Sequence, residues 1–323
     1  MSSIIEIKNL TKKFGDKTAV DDISFEVFEG EIFGFLGPNG AGKTTTINIL
    51  CTLLDPTTGF ATISGYNVAK DRDNVRNSIG IVFQDPSLDG DLTAEENLRF
   101  HGMAYNIPKE TREERIKYLL EMVDLTDKKN ELIKNFSGGM KRRLEIARGL
   151  LHYPKVLFLD EPTIGLDPQT RNKIWEYIID LQEKKGITIF LTTHYMEEAE
   201  NCNRIAIIDH GKIIALDTPD NLKKDLKGDL ITLKTSDNET AKDVLQSCFS
   251  LKPKIKDDSI YLYAENGENF VPKVFRALRN FEITSVNVRK PTLNDVFLKL
   301  TGREIREETM DGTGRMKEMH RGR

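Results

Sequence analysis

The chain is poor in what a secreted or membrane-spanning protein needs. Cysteine occurs three times in 323 residues, at Cys51, Cys202 and Cys248. The number is odd and the spacing wide, which argues against a disulfide framework or a metal cluster and fits reduced cytosolic thiols. No apolar run approaches the ~18 residues that cross a bilayer. The opening Met1-Ser-Ser-Ile-Ile-Glu-Ile-Lys8 lacks the basic start and apolar stretch of a signal peptide. Neither charge sign dominates, with 47 Lys and Arg against 51 Asp and Glu. Bulk electrostatics therefore gives no reason to expect nucleic acid as a partner. Hydrophobic content of 38% allows a real core, and the length suggests about two domains. Action on a membrane would need a partner chain.

What is present is concentrated in one octet. Gly37, Pro38, Asn39, Gly40, Ala41, Gly42, Lys43 and Thr44 fit the phosphate-binding pattern G-x-x-x-x-G-K-[ST]. The run 31–36 before it reads as a buried strand, and the run from Thr45 to Leu50 as the opening of a helix. A strand that turns through glycines into a helix N-terminus aims several backbone N–H groups, and the positive end of the helix dipole, at one anion. Lys43 would reach the β- and γ-phosphates, and the Thr44 hydroxyl would ligate Mg²⁺.

Elsewhere the pattern is that of an α/β protein with a smaller unit after it. Residues 4–33 alternate apolar and polar as strands do, and 60–64 reads as a further strand. Residues 91–134 are mostly helical in pattern. A second strand–turn–helix theme follows over 156–160 and 171–185, the helix carrying Ile174, Tyr177, Ile178 and Leu181 on one face. The runs 187–193 and 205–209 are near-continuously apolar, as parallel strands covered on both faces are. From 229 the order is strand, helix, two strands, helix, strand and a short helix over 294–300, which predicts a small α+β sandwich. The residues from 303 mix charges and glycine and read as a poorly ordered tail.

Asp160 ends the apolar strand 156–160 where a carboxylate could hold Mg²⁺ through water, and Glu161 follows where a general base could stand. Alone, that pair reads equally as a solvated turn. Two further segments change the balance. Asn135-Phe-Ser-Gly-Gly-Met-Lys141 precedes a helix, and Leu191-Thr-Thr-His194 ends a strand. Together with Asp160-Glu-Pro-Thr-Ile-Gly-Leu-Asp167 and the phosphate loop, these resemble, in the family's usual order, the nucleotide-binding domain of ATP-binding-cassette (ABC) proteins, over about residues 4–218.

The resemblance implies a P-loop NTPase fold: a mixed sheet core, an antiparallel β-subdomain, a helical subdomain over about 85–150, and a small α+β domain over 219–302 before the tail 303–323. It implies ATP and Mg²⁺ as cofactors. Phe14 matches the aromatic that stacks on adenine, and the octet with Thr45 holds the phosphates. Thr44, Gln84 and Asp160 match the metal-binding positions, and Gln84 also senses the γ-phosphate. Lys43, Glu161 and His194 match the groups that act on the γ-phosphoryl, with Glu161 as base and His194 as the switch histidine. Ser137, Gly138 and Gly139 match the signature that meets ATP on a second nucleotide-binding domain, and Asp167 the loop that crosses between the sites. Met140 replaces the usual Gln of the signature, and Ile164 a frequent Ser, which touches fine tuning of turnover rather than ATP sandwiching.

One phosphate loop and one signature imply a dimer of cassettes. A separate integral membrane permease is implied as well, with the chain peripheral on the cytoplasmic membrane face. The apolar Leu88, Leu92, Phe100, Met103 and Tyr105 are the candidates for receiving a permease helix, or else are ordinary core. Lys290-Pro-Thr-Leu-Asn-Asp-Val-Phe-Leu-Lys-Leu-Thr-Gly302 resembles the ending of daunorubicin-exporter-type ATPases, which implies export of drugs, lipids or glycans. The rival classes are a translation-factor-like ABC ATPase, usually two cassettes in one chain, and a sugar importer's ATPase, usually with a longer all-β extension. A DNA-repair ATPase would carry a long coiled coil, and no heptad run is present.

Overall fold

The computed structural model describes residues 2–302; the tail expected over 303–323 lies outside the described residues. Two long strands, β1 (Ser3–Phe14) and β2 (Lys17–Phe28), form a hairpin, and β3 (Ile32–Leu36) then runs fully buried into α1 (Lys43–Leu50). The strands β4 (Thr58–Ile63) and β5 (Tyr66–Asn67) return beside β1 and complete an antiparallel sheet ordered β2-β1-β4-β5. Next come α2 (Arg72–Ser78), β6 (Ile79–Val82) and three larger helices, α3 (Ala94–Ala104), α4 (Lys109–Met122) and α5 (Gly138–Leu150). Then β7 (Val156–Asp160), α6 (Pro168–Lys185), β8 (Thr188–Thr193), α7 (Met196–Ala199), β9 (Arg204–Asp209) and β10 (Lys212–Asp217) close a sheet ordered β10-β9-β3-β8-β7-β6. Its five strands from β9 to β6 are parallel and β10 is antiparallel.

The parallel strands are apolar throughout because both faces are covered. One face packs against the antiparallel sheet through Phe25, Phe33, Phe35, Phe158 and Phe190, whose ring centroids lie 5.2–6.4 Å apart in contacting pairs. The other face packs Leu157, Leu159 and Leu191 against the helical residues Leu144, Ile174 and Ile178. The expected helix over 171–185 begins at Pro168 instead, because Asp167 caps it and proline suits the first helical position. Its buried face is Ile174, Trp175, Ile178 and Leu181; Tyr177, assigned to that face from spacing, sits at the rim and donates from its hydroxyl to Asp124.

The C-terminal part follows the expected order: α8 (Pro219–Lys224), β11 (Asp229–Thr235), α9 (Asn238–Phe249), β12 (Lys254–Lys256), β13 (Ser259–Ala264), α10 (Gly267–Ala277), β14 (Ile283–Arg289) and α11 (Leu293–Thr301). Its antiparallel sheet, ordered β12-β13-β11-β14, has its own core of Ile231, Leu233, Leu245, Ile260, Leu262, Val274 and Leu278. The last helix leaves that core: Leu293, Val296 and Phe297 of α11 pack into the apolar cluster under the six-stranded sheet. Bidentate contact from Arg289 to Asp295, 2.6 and 2.8 Å, fixes the entry to α11. Among the described residues no helix is long and apolar enough to cross a membrane.

Candidate active site

Three neighbouring strands build the site. β8 lies between β3 and β7 in the sheet, with Thr193 beside Leu36 and Thr192 beside Asp160. The loops that leave these strand ends therefore emerge side by side, at the carboxyl edge where α/β sheets bind ligands. From β3 comes the glycine octet, from β7 Asp160 and Glu161, and from β8 His194.

The octet curls because its glycines allow it. Gly40 has φ 78° and Gly42 φ 112°, in the left-handed region that side chains avoid. A Cβ on Gly37 would lie 2.3 Å from the Ile208 carbonyl oxygen, and one on Gly42 would lie 2.6 Å from that of Ala19. The Gly37 amide donates to the Thr193 carbonyl at 3.3 Å, tying the loop to β8. Lys43 starts α1, and its ammonium folds back over the loop, donating to the carbonyls of Gly37 at 2.8 Å and Pro38 at 3.2 Å. Thr44 is exposed at the helix start and Thr45 is half-buried beside it.

Glu161 is the meeting point. Its Oε1 lies 3.4 Å from Lys43 Nζ and 3.2 Å from His194 Nδ1. The histidine contact is a close approach in which Nδ1 has no aligned hydrogen bond. Burial pushes the Glu161 carboxyl up, but contact with His194 and the Lys43 charge outweigh it and hold the group below its ordinary value. Burial lowers Lys43, opposed by Glu161. Glu161 also carries φ 46°, an unusual backbone for a non-glycine residue, secured by its amide donating to the Thr192 carbonyl at 3.2 Å and hydroxyl at 3.1 Å. Asp160 accepts from the Thr192 hydroxyl, and burial raises its carboxyl despite that bond.

The other expected residues lie on neighbouring loops and helix starts. Gln84 is exposed just after β6. Phe14, 49% exposed at the end of β1, has Lys12 Nζ 5.1 Å from its ring centre. Ser137 caps α5 by accepting from the Met140 amide at 3.3 Å; Ser137 and Gly138 are exposed at that helix start and Gly139 is half-buried. Asp167 turns its carboxylate onto its own helix, accepting from the Thr170 amide and hydroxyl at 3.0 and 2.6 Å. One chain thus brings Lys43, Asp160, Glu161 and His194 together and leaves the 137–139 segment facing outward.

Sequence reading missed Thr192, Arg142, Glu145 and Glu198. Thr192 was readable as a polar residue inside an apolar strand. Arg142 and Glu145 were readable as an i,i+3 ion pair on the face of α5 that also carries Ile146, although periodicity alone treats such charges as solvated.

The residues present fit a bound Mg²⁺. Asp160 is 4% exposed, and burial works against its charge, so a cation beside it is favoured. No group of three acidic or histidine side chains forms a cage among the described residues. A single buried carboxylate suits Mg²⁺, which takes one or two protein oxygens together with waters and substrate phosphates.

A glycine-rich phosphate cradle at a strand–helix junction, with an acidic strand end beside it, defines a P-loop nucleoside triphosphatase. Comparison with known proteins narrows the class. Residues 20–164 match the family model described as ABC transporter, and residues 218–301 match that of the ATP-binding protein DrrA1-3-like, C-terminal domain. The linearmycin resistance ATP-binding protein LnrL of Bacillus subtilis is 39% identical over 312 residues, covering 94% of this chain and 100% of the relative. The Nod factor export ATP-binding protein I of Burkholderia lata is 39% identical, covering 94% and 98%. The daunorubicin resistance ATP-binding protein DrrA2 of Streptomyces coeruleorubidus is 37% identical, covering 92% and 95%. Among solved structures, a dimeric ATP-binding cassette in a post-hydrolysis state with ADP and Pi superposes with TM-score 0.60 at 31% identity, over 66% of this chain and 98% of that one. The structure of cbiO1 from Clostridium perfringens gives TM-score 0.65 at 29% identity, over 69% and 91%. The chain belongs to the ATP-binding proteins of ABC transporters. It is an ATPase of that family.

Proposed function

We propose that this chain powers an exporter, as the ATP-hydrolysing subunit whose paired closure drives a separate membrane permease. The observation that carries the catalytic part is the meeting of Lys43, Glu161 and His194 at three adjacent strand ends. The export part rests on relatives named for drug resistance and Nod factor export, whose likeness runs through the C-terminal domain. Its cargo is then of the drug, lipid or glycan class.

In this reading Phe14 stacks on adenine, and the amides of 37–45 with the Lys43 ammonium cradle the phosphates. Glu161 orients a water and takes its proton as the water oxygen bonds to the γ-phosphorus and the bond to the ADP oxygen breaks. His194 and Lys43 hold the charge that develops on the γ-phosphoryl oxygens. Thr44, Gln84 and Asp160 would hold Mg²⁺, which supplies charge neutralisation at the phosphates when bound. Ser137, Gly138 and Gly139 face outward to the ATP of a second, identical copy, and Asp167 stands at the crossing loop between the two.

The domain plan follows the same reading: a nucleotide-binding domain over 1–218 with its helical part over 85–150, a C-terminal domain over 219–302, and the tail 303–323. The permease would hold the chain on the cytoplasmic membrane face, with its helix in the groove near Leu88, Leu92 and Tyr105. The test is a mild-detergent pull-down of Glu161→Gln with ATP, followed by mass spectrometry. A multi-spanning membrane protein in stoichiometric amount is expected. Ribosomal proteins, or the chain alone, would contradict the transporter role.

A further inference from the structure

Arg142 is an almost completely buried arginine that sequence motifs do not assign, 6% exposed, on the second turn of α5. Its guanidinium donates to three backbone carbonyls on two separate segments. Nε reaches Pro162 O at 2.6 Å, Nη2 reaches Asp160 O at 3.0 Å, and Nη1 reaches Phe83 O. Asp160 and Pro162 bracket Glu161, and Phe83 immediately precedes Gln84. Nη1 also lies 3.3 Å from Glu145 Oε2, and Glu145 is 1% exposed. The other Glu145 oxygen accepts from the Ser87 amide at 2.8 Å, three residues beyond Gln84. Arg148, one turn further, donates to the Ser87 carbonyl at 2.7 Å.

Burying a guanidinium is costly unless its donors are met, and here the partners are concentrated on the backbone around two functional side chains. Glu161 has a left-handed φ of 46°, which other parts of the fold must hold in place. Donors from one rigid fork, on the carbonyls either side of it, do that. The same fork pins the strand end that leads to Gln84. Its helix opens at Ser137, five residues before Arg142 and about 7.5 Å along the axis.

We propose that Arg142, oriented by Glu145, is the positioning residue for hydrolysis. It ties the helix that begins at Ser137 to the backbone of Glu161 and to the Gln84 loop, so the three shift as one body. The proposal rests on the catalytic reading of Glu161 and Gln84 given above. A lysine keeps the charge at this position but has one nitrogen, which does not serve three divergent carbonyls.

The experiment compares Arg142→Lys, Gln84→Ala and their double variant with the full-length protein. It measures steady-state ATP turnover, binding of a fluorescent ATP analogue, and thermal unfolding. Arg142→Lys is expected to lower kcat by about 10–100-fold, the scale of a small misplacement of reacting groups, with KM and analogue binding changed by less than about 3-fold. The double variant is expected to lose about 3-fold less than the product of the single losses, because both changes act on one loop. A purely structural arginine would lower thermal stability and leave kcat per folded molecule, or give strictly multiplicative losses; either result overturns the proposal. Should Arg142→Lys fail to fold, Glu145→Gln carries the test, since it keeps an acceptor for Ser87 and removes only the charge. The same pattern supports the proposal, and wild-type kcat in Glu145→Gln overturns it. Glu161→Gln is run alongside: wild-type turnover there would remove the catalytic reading itself, whereas a dead Glu161→Gln beside a fully active Arg142→Lys would remove the positioning role alone.

Discussion

Lys43 Nζ and Glu161 Oε1 form an ion pair 3.4 Å long between two side chains that are 5% and 8% exposed. The proposed phosphate-binding cation and the proposed base are thus in direct contact. Removing one member of a buried pair leaves the other charge uncompensated, which costs about 3–5 kcal/mol. Lys43→Ala is therefore expected to lower folding stability as well as affinity for a fluorescent ATP analogue. Urea denaturation and titration check both effects. Unchanged affinity would contradict the phosphate role of Lys43.

Two glycines of the same loop separate steric need from backbone need. A Cβ at Gly40 would meet nothing within 4 Å, while one at Gly42 would press to 2.6 Å on a backbone oxygen; both have positive φ. Gly40→Ala should cost only the left-handed penalty of about 1–2 kcal/mol. Gly42→Ala should cost more and abolish analogue binding, because the loop must move. Thermal unfolding and titration of the two variants side by side test the difference.

Much of this was legible in the sequence because loop chemistry is local. The octet, the acidic strand end and the 137–139 turn each declare themselves in a few residues, and the parallel strands declare themselves by unbroken apolar runs. The order of elements in the C-terminal part was readable from the switch between two- and 3.6-residue periods. Trp175 was not, because a helix face some residues wide admits more than one buried set at its edges. The burial of Arg142, Glu145 and Glu198 was not, because periodicity assigns charged residues to solvent and an i,i+3 ion pair alone does not show that it is buried. Only the fold shows which carbonyls and hydroxyls converge to satisfy them.

Glu198 gives a pH-dependent case. It is 2% exposed, accepts from the Thr163 hydroxyl of the loop after Glu161, and is raised by burial from 4.5 to about 6, against the Thr193 hydroxyl and the charges of Arg171 and His194. Between those values the folded protein keeps a proton that the unfolded chain has released. Stability from this residue is full below pH 4.5 and is lost as pH rises through about 6, an effect of about 2 kcal/mol. Glu198→Gln should therefore unfold at higher urea than wild type at neutral pH, with the gap closing in acid. An equal loss of stability at both pH values would contradict this.

Phe100 and Met103 are 70% and 56% exposed on α3, close to the half-buried Tyr105. Glutamate at either position should leave basal ATP turnover and folding unchanged, since neither side chain is core. It should abolish co-purification of the permease and resistance or export in cells. Full export by both variants would refute a docking role for this face.

The central claim is a composite site in which Glu161 drives hydrolysis and the outward-facing 137–139 segment completes the ATP site of a second copy. Light scattering of size-separated Glu161→Gln, with ATP and Mg²⁺ and then with ADP, tests it most directly when paired with a phosphate-release assay. The account predicts turnover lowered by about 10²-fold or more and a dimer that forms with ATP and dissociates with ADP. A Glu161→Gln protein that hydrolyses ATP at the wild-type rate, or stays monomeric in ATP, would contradict it.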